Sequence, residues 1–430
     1  MFRGAASTLL LKIIGEMAVF LAIIAATRMF SLEMSGLFIL LQSNLFLFGT
    51  IATLGLGTAY HRYVPPYLAQ GRTDDIRALI RAVNKSALLA ISGSIAAFLV
   101  YQAFGPQDRL APVYQALFAA SIGFWALVVL QRHLLRAMRQ IFWSEVSYQL
   151  IRPIGAIAVL VVGARYLSPV TAIFLALFVP LAFGVVHDIW RLRPLVGGLR
   201  GPASVDAPEW RDASRAYTVV MLGRIVLQRL DLLLVGAILG LEAAAIYGVA
   251  ARISLLVVFV VDPIDSVFRP RASLHIATGE DAWLRRDIVQ AGLWIAAASL
   301  LTGVAIIALP GLWLNLFGPA FDPDTSVILL WLSVLGRFIS ANSSISQTLL
   351  LMAGHERMQA MLSAGIALVL YPVAAVWATL TFGLIGAAVA VVAARLAQAC
   401  ANIIAARVLT GHWGLVAPRP GNLATAFGGR

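Results

Sequence analysis

Arginine is the residue type in this chain whose placement could do the most chemistry. Six arginines lie deep within long apolar segments: Arg152, Arg224, Arg229, Arg252, Arg337 and Arg395. Ionisable groups at membrane depth are costly and usually face a cavity. The forked guanidinium donates paired hydrogen bonds that suit a phosphate or a carboxylate. These side chains are therefore the candidate cavity contacts for an anionic substrate.

Acidic residues at comparable depth are fewer, namely Asp231 and Glu16. Arg224, Gln228 and Asp231 are spaced i, i+4, i+7, which places them on one helix face. Asp231 and Glu16 are the candidates for holding a coupling Na⁺ or proton. The alternative is purely structural: an Arg224–Asp231 pair that fixes helix packing, and a local pair of Glu16 with Lys12. Since deep arginines outnumber deep acids, the sequence predicts either a water-filled cavity or one that an anion enters.

Uncharged polar residues within the apolar segments form a second tier of candidates. They are Gln228, Asn342, Gln42, Asn44 and Tyr247. Such side chains are more often interhelical hydrogen-bond partners than ligand contacts.

The composition excludes several classes of protein. Of 430 residues, 60% are hydrophobic and 12% charged, against about 45–50% and about 25% in soluble domains. One cysteine, Cys400, forms neither an intramolecular disulfide nor a metal site by itself. The chain has no GxxxxGK[ST] phosphate loop, so we expect no ATP hydrolysis. The formal charge of +12 is typical of a membrane protein's cytoplasmic face, so we expect no nucleic-acid partner.

Twelve segments are long and apolar enough to cross a bilayer, which needs roughly 20 residues each. We therefore predict an all-α integral membrane protein with twelve transmembrane helices in two six-helix lobes around a central cavity. The predicted domains are an N-terminal lobe (1–190), a cytoplasmic linker (191–215), a C-terminal lobe (216–409) and a flexible cytoplasmic tail (410–430). The predicted spans are 9–27, 36–58, 86–104, 111–131, 145–164, 170–190, 216–239, 243–265, 288–309, 325–347, 359–381 and 384–407.

The distribution of Lys and Arg predicts the orientation. With the N-terminus inside, the inner segments hold 22 of these residues and the outer loops three, Arg28, Arg109 and Arg165. Both termini are therefore expected in the cytoplasm. The outer loops are short and leave no room for an external catalytic domain.

The two halves also echo each other in sequence. SLEMSGLF at 31–38 matches GLEAAAIY at 240–247, AQGRTDDIRALI at 69–80 matches ATGEDAWLRRDI at 277–288, and FGP recurs at 104–106 and 317–319. The matches lie in the same order at similar offsets, which indicates an internal duplication. Both halves would start at the inner face, an arrangement used by transporters.

The two-lobe plan, the segment GRIVLQRLDLLLVGAILGLEAAAIYGVAARIS (223–254) and its counterpart SLEMSGLFILLQSNL (31–45) resemble the polysaccharide-transporter branch of the MOP exporter superfamily, the O-antigen and exopolysaccharide lipid flippases. The resemblance implies a MATE-like fold and alternating access. It implies a bacterial inner-membrane protein that moves polyprenyl-diphosphate-linked oligosaccharide, of the undecaprenyl-diphosphate type, to the periplasmic leaflet.

The resemblance also implies membrane lipids, a polysaccharide polymerase and glycosyltransferases as candidate partners. It implies no catalytic or metal site and no cofactor beyond a coupling Na⁺ or proton. Two alternatives stay open: a drug/cation antiporter of the same superfamily, and a membrane-embedded glycosyltransferase or ligase. The first favours acidic cavities, and the second needs a large external loop or a catalytic acid pair.

Overall fold

The fold is built from helices that cross an apolar layer. A computed structural model describes residues 2–104, 110–197, 226, 228–259, 261–319, 321 and 323–413, and within these all regular structure is helical. Hydrocarbon offers no hydrogen-bond partners to the backbone, so membrane-spanning segments must satisfy their own amides, as a helix does. The predicted linker 191–215 beyond residue 197, Arg224, and the tail from 414 onward lie outside the described residues.

The helices fall into two compact units, described in turn. The first comprises Met1–Ile225 and Gly236–Ala245. A short π-helical segment, Ser147–Ile151, joins α6 to α7. The helices of this unit are α1 (Phe2–Met29), α2 (Leu32–Ile51), α3 (Gly57–Ala69), α4 (Thr73–Phe104), α5 (Pro112–Ala137), α6 (Ile141–Val146), α7 (Arg152–Tyr166) and α8 (Pro169–Gly197).

The second unit comprises Val226–Val235 and Ile246–Arg430. The described helix at 228–239, α9, and α10 (Leu241–Ser254) are divided between the units. A second π-helical segment, Ile366–Leu370, precedes the last helix. The remaining helices are α11 (Val261–Thr278), α12 (Asp281–Ala308), α13 (Pro310–Asn315), α14 (Pro323–Asn342), α15 (Ser344–Met352), α16 (Glu356–Gly365) and α17 (Tyr371–Thr410).

Glycines explain why Gly236–Ala245 packs with the first unit. Gly36 on α2 lies directly against the backbone of Leu241, and Gly236 on α9 lies against the side chain of Leu40. A Cβ at either glycine would collide with these neighbours. Small residues allow such close helix approach within membranes.

Ten helical stretches of the described residues are long and apolar enough to cross a membrane, which confirms a multi-pass membrane protein. The count is consistent with twelve spans for two reasons. The first part of the predicted seventh span, 216–225, lies outside the described residues. The last stretch, Arg357–Thr410, contains Gly383 with non-helical angles (φ 60, ψ −140), between the predicted spans 359–381 and 384–407.

The sequence duplication has a counterpart in local structure. Gly71 and Gly279, paired by the second sequence match, both adopt positive φ, at 68° and 72°, and each lies just before a long helix, α4 or α12. A Cβ is strained in that conformation, so glycine stands at both places. FGP at 104–106 extends into residues that the structure leaves undescribed.

The two π-helical segments are further evidence that the two halves of the chain are related. Each ends immediately before an X-Pro pair, Arg152-Pro153 or Tyr371-Pro372. Proline lacks the N–H that would continue the regular ladder, so the turn before it widens. The backbone N–H of Arg152 bonds to the Ser147 carbonyl, and that of Tyr371 to the Ile366 carbonyl, each five residues back.

Candidate functional site

Asp231 is the centre of a polar cluster inside the second unit. Its side chain on α9 is buried, with 6% exposure, and Oδ2 accepts a 2.8 Å hydrogen bond from the Tyr247 hydroxyl on α10. Its other oxygen, Oδ1, is buried and accepts no hydrogen bond from the described residues. The carboxylate thus keeps acceptor capacity for a further cation or donor.

Two of the predicted deep arginines lie beside this carboxylate. Arg337 on α14 is partly buried, and Arg395 on α17 is buried and donates from Nη1 to the Ser340 hydroxyl at 3.1 Å. Arg337 interacts electrostatically with Arg395, Asp231 and also Arg229. Among these described residues, three guanidinium groups therefore accompany one carboxylate, so basic groups outnumber the acidic one.

Small residues allow the arginines to meet within the helix packing. α14 packs against α17, whose buried face carries alanines at 387, 388, 390 and 394. A Cβ on Gly336 would approach Cδ of Arg395 to 3.1 Å. Because residue 336 is glycine, the aliphatic part of the Arg395 side chain can pass close to α14.

The cluster borders a small cavity. Asp231, Tyr247, Arg337 and Arg395 all line it, and they come from four different helices. Its volume is ≈ 10 Å³, about the space that one water molecule needs. The helices described therefore leave room beside the cluster for about one water molecule.

The other predicted residues of the second unit lie as follows. Arg224 is outside the described residues. Gln228 is exposed, so it does not share the buried environment of Asp231, while Arg229 and Arg252 are partly buried. Asn342 donates to the Phe338 carbonyl at 2.9 Å and to the Ser299 hydroxyl on α12 at 3.4 Å, which is a contact between helices.

Arg152 occupies an aromatic site in the first unit. Its guanidinium carbon lies 5.2 Å from the ring centre of Trp125 and 4.7 Å from that of Tyr148. Its Nε also donates to the Tyr148 carbonyl at 3.2 Å. That carbonyl would ordinarily bond the Arg152 N–H, which the π-helical segment redirects to Ser147. The side chain therefore satisfies a backbone oxygen that its own turn leaves open.

The remaining candidates of the first unit are placed separately. Glu16 on α1 is partly buried, Gln42 on α2 is partly buried, and Asn44 on α2 is buried with 8% exposure.

Two acids that the sequence analysis did not single out are buried at the ends of predicted spans. Glu145 on α6 is fully buried and takes salt bridges from Arg132, at 2.6 Å, and from Arg136. Asp188 on α8 is also fully buried; the Ser147 hydroxyl donates to it at 2.6 Å. Both sit at the ends of predicted spans, where depth is hardest to judge from sequence. The Arg132–Arg136 spacing, i to i+4 on one helix face, was the available signal for a buried acid nearby.

Two acids of the second unit are likewise buried. Asp265 has 6% exposure; it pairs with Arg269 at 2.6 Å and accepts from the Thr348 hydroxyl at 3.0 Å. Asp287 lies 3.4 Å from Nε2 of His275. Both acids therefore lie beside a basic side chain. Among the described residues, no group of three or more His, Cys, Asp or Glu could hold a metal ion.

The fold is that of a multi-pass membrane protein with two helical units, and a buried cationic cluster lies in the second unit. The chain belongs to the polysaccharide biosynthesis protein family, whose model matches residues 1–274. This match confirms the resemblance to the polysaccharide-transporter branch. No curated protein matches the chain significantly.

Solved structures show the same fold at low sequence identity. The lipid II flippase MurJ in an inward closed conformation has a TM-score of 0.72 and 16% identity, covering 99% of this chain and 90% of that one. An inward-facing multidrug resistance MATE family transporter of the MOP superfamily has a TM-score of 0.69 and 14% identity, covering 91% of this chain and 94% of that one.

A third neighbour is a MOP superfamily transporter from Pyrococcus furiosus, described as having a binding pocket of reverse polarity. Its TM-score is 0.53 at 14% identity, covering 94% of each chain. The predicted MATE-like, all-α fold is therefore confirmed.

Proposed function

We propose that this protein is a flippase that moves a polyprenyl-diphosphate-linked oligosaccharide across the bacterial inner membrane, for O-antigen or exopolysaccharide synthesis. The observation that carries the proposal is that Arg337 and Arg395 line one cavity with Asp231, with Arg229 near enough to act on Arg337. Family membership supports a role in polysaccharide biosynthesis, and a diphosphate is the anion that such a cluster suits.

The mechanism follows from the cost of moving a charged group through hydrocarbon. A diphosphate leaving water needs replacement donors, and buried guanidinium groups supply them without reorganising solvent. The lipid chain carries no charge and needs no such donors. Because the cavity beside the cluster is only ≈ 10 Å³, binding requires a second, open conformation, which is the requirement of alternating access.

Asp231 is the proposed site of ion coupling. A cation or proton bound at Oδ1 would neutralise the carboxylate and leave the arginines free to take the diphosphate. Without the cation, the carboxylate would hold the arginines and compete with the substrate. Coupling of this kind is reciprocal, since each ligand alters the affinity for the other.

Removing one guanidinium from the cluster tests the function. Arg337→Gln or Arg395→Gln should slow translocation of lipid-linked oligosaccharide in reconstituted vesicles by at least about tenfold, because a charge-assisted contact is lost. The assay follows the loss of oligosaccharide exposed to an impermeant reagent. Arg357→Gln, an exposed residue on α16, is the matched control.

Wild-type translocation in both cluster variants, at equal protein levels, would reject the assignment. The antiporter alternative is favoured by one observation, the open acceptor on Asp231. It predicts uptake of a cationic dye that Arg337→Gln leaves unchanged or increases, whereas the flippase predicts no such uptake.

A further inference from the structure

A large apolar cavity lies within the first unit. It has a volume of ≈ 780 Å³ and is bounded by α4, α5 and α8, which is within the range of about 300–1,000 Å³ typical of ligand sites. Leu88 on α4 and Ile189 on α8 line it and are exposed, at 66% and 52%. The cavity is therefore a groove that opens at the surface of the unit.

The lining changes character along the groove. The deeper positions are apolar, with Ile91 on α4 and Phe124 and Leu127 on α5. Closer to the ends of the helices lie Asn84, Gln131 and Arg193, and Arg193 is exposed. From Gln131 to Ala120, both in the lining, the rise along α5 is roughly 16 Å. Apolar Ile80, Leu134 and Val196 lie beyond these polar residues. The groove thus has a mouth of mixed polarity and an apolar interior of that length.

The charge at the mouth has one sign. Arg193 is the charged member of the described lining, and no acidic residue lines the groove in this part of the chain. The same helix ends carry many basic residues, which predicts that the mouth lies at the cytoplasmic surface. An amphipathic molecule with an anionic head at Arg193 and a hydrocarbon chain inside matches this order.

We propose that the groove binds the polyisoprenoid chain of a lipid phosphate from the cytoplasmic leaflet, with Arg193 contacting the phosphate. The proposal rests on the proposed function, because that function makes a polyprenyl lipid the substrate. The groove belongs to the first unit and the Asp231 cluster to the second, so they are two different sites. The groove would hold the lipid's hydrocarbon chain, and the arginine cluster its anionic group.

Gly123 allows the groove to be filled without disturbing its frame. It lines the cavity, and an added Cβ would meet only Cγ2 of Ile91, at 3.7 Å. Gly93 on α4 is a matched control: it is exposed, does not line the cavity, and has no atom within 4 Å of an added Cβ. Tryptophan at either position adds the same side chain to the protein.

The test is native mass spectrometry of the full chain in detergent, with polyprenol, polyprenyl monophosphate and phosphatidylglycerol as probes. We expect wild type to bind polyprenyl monophosphate in preference to phosphatidylglycerol. Gly123→Trp should weaken polyprenol binding by at least about tenfold, whereas Gly93→Trp should not. Arg193→Gln should weaken polyprenyl monophosphate by about tenfold and leave polyprenol unchanged, because only the phosphate contact is removed. Gly123→Leu serves as a smaller filler if the tryptophan variant does not fold.

The outcomes separate the two proposals. Unchanged polyprenol binding in both Gly123 variants, or equal competition by phosphatidylglycerol, overturns the groove assignment and leaves the flippase proposal standing. Absence of polyprenyl monophosphate binding in wild type overturns both. Loss of polyprenol binding in Arg337→Gln as well as in Gly123→Trp would place the chain at the arginine cluster and also overturn the groove.

Discussion

Asp231 decides how the arginine cluster behaves at the scale of single residues. It is the buried carboxylate of a cluster with three guanidinium groups, and Tyr247 donates to one of its oxygens while no described residue donates to the other. A group in this position can hold the arginines together when charged and release them when neutralised. The residue is therefore the point at which an ion gradient would act on substrate affinity.

Asp231→Asn should remove the dependence of translocation on the ion gradient, because the amide keeps an acceptor for Tyr247 but has no charge to titrate or to bind Na⁺. The measurement is the translocation rate in vesicles with and without an imposed Na⁺ or proton gradient. Tyr247→Phe, which removes the donor and keeps the carboxylate, is the companion variant and should retain gradient dependence. An Asp231→Asn protein that responds to the gradient as wild type does would exclude this residue from coupling.

Glu145 is expected to have a structural role, because two arginines balance its buried charge. It is fully buried between Arg132 and Arg136 of the first unit, so Glu145→Gln leaves two partly buried cations without their counter-charge. We expect a loss of about 3 kcal/mol in the free energy of unfolding, the lower end for breaking a buried pair. Denaturant unfolding in detergent measures it. Glu33→Gln, an exposed carboxylate in the first turn of α2, should change stability by less than about 0.5 kcal/mol.

At the scale of elements, the π-helical segments set the direction of the helices that follow them. Each segment inserts one residue into the backbone ladder just before a proline. An extra residue turns the following helix by about 100° relative to a continuous α-helix. Arg152 and Tyr371 thus owe their placement to the segment as much as to their position in sequence.

Pro153→Ala restores an N–H that can bond to the carbonyl of residue 149, so the π-helical segment of the first unit should close to a regular α-helix. We expect Arg152 to turn away from Trp125 and Tyr148, with a loss of translocation of about tenfold or more and unchanged or higher thermal stability. Thermal unfolding and tryptophan fluorescence report the two effects. Pro180→Ala, inside α8, is the comparison. Retention of the Trp125 fluorescence of wild type would show that the proline does not set this geometry.

At the scale of the whole molecule, the orientation remains the prediction from the Lys and Arg count. A reporter that is active only in the cytoplasm should be active when fused to either terminus, and a periplasmic reporter should be inactive at both. Fusion at 166–169, the short turn between α7 and α8, should give the opposite result. Activity of the periplasmic reporter at either terminus would invert the assignment of the groove mouth to the cytoplasmic leaflet.

Much of this architecture is predictable from sequence because long apolar segments and arginine bias are strong, local signals. Arg337 and Arg395 stand out in the same way, since a charge within an apolar run is visible without knowing its partners. Glu145 and Asp188 are not predictable in this way, because each lies where a span ends and its burial depends on helices distant in sequence. The grouping of Arg337 and Arg395 with Asp231 is equally tertiary, since it joins residues more than 100 positions apart.

The paired π-helical segments have a practical consequence for engineering. Two heptapeptides share a π-helical segment followed by an X-Pro pair: SYQLIRP at 147–153 and IALVLYP at 366–372. They are therefore equivalent positions at which the two halves can be exchanged. A side chain from one heptapeptide can be introduced at the matching position of the other, because both have the same backbone hydrogen-bond pattern. Positions 152 and 371 are then structurally equivalent. The first carries a cationic side chain, that of Arg152, and the second a phenol, that of Tyr371.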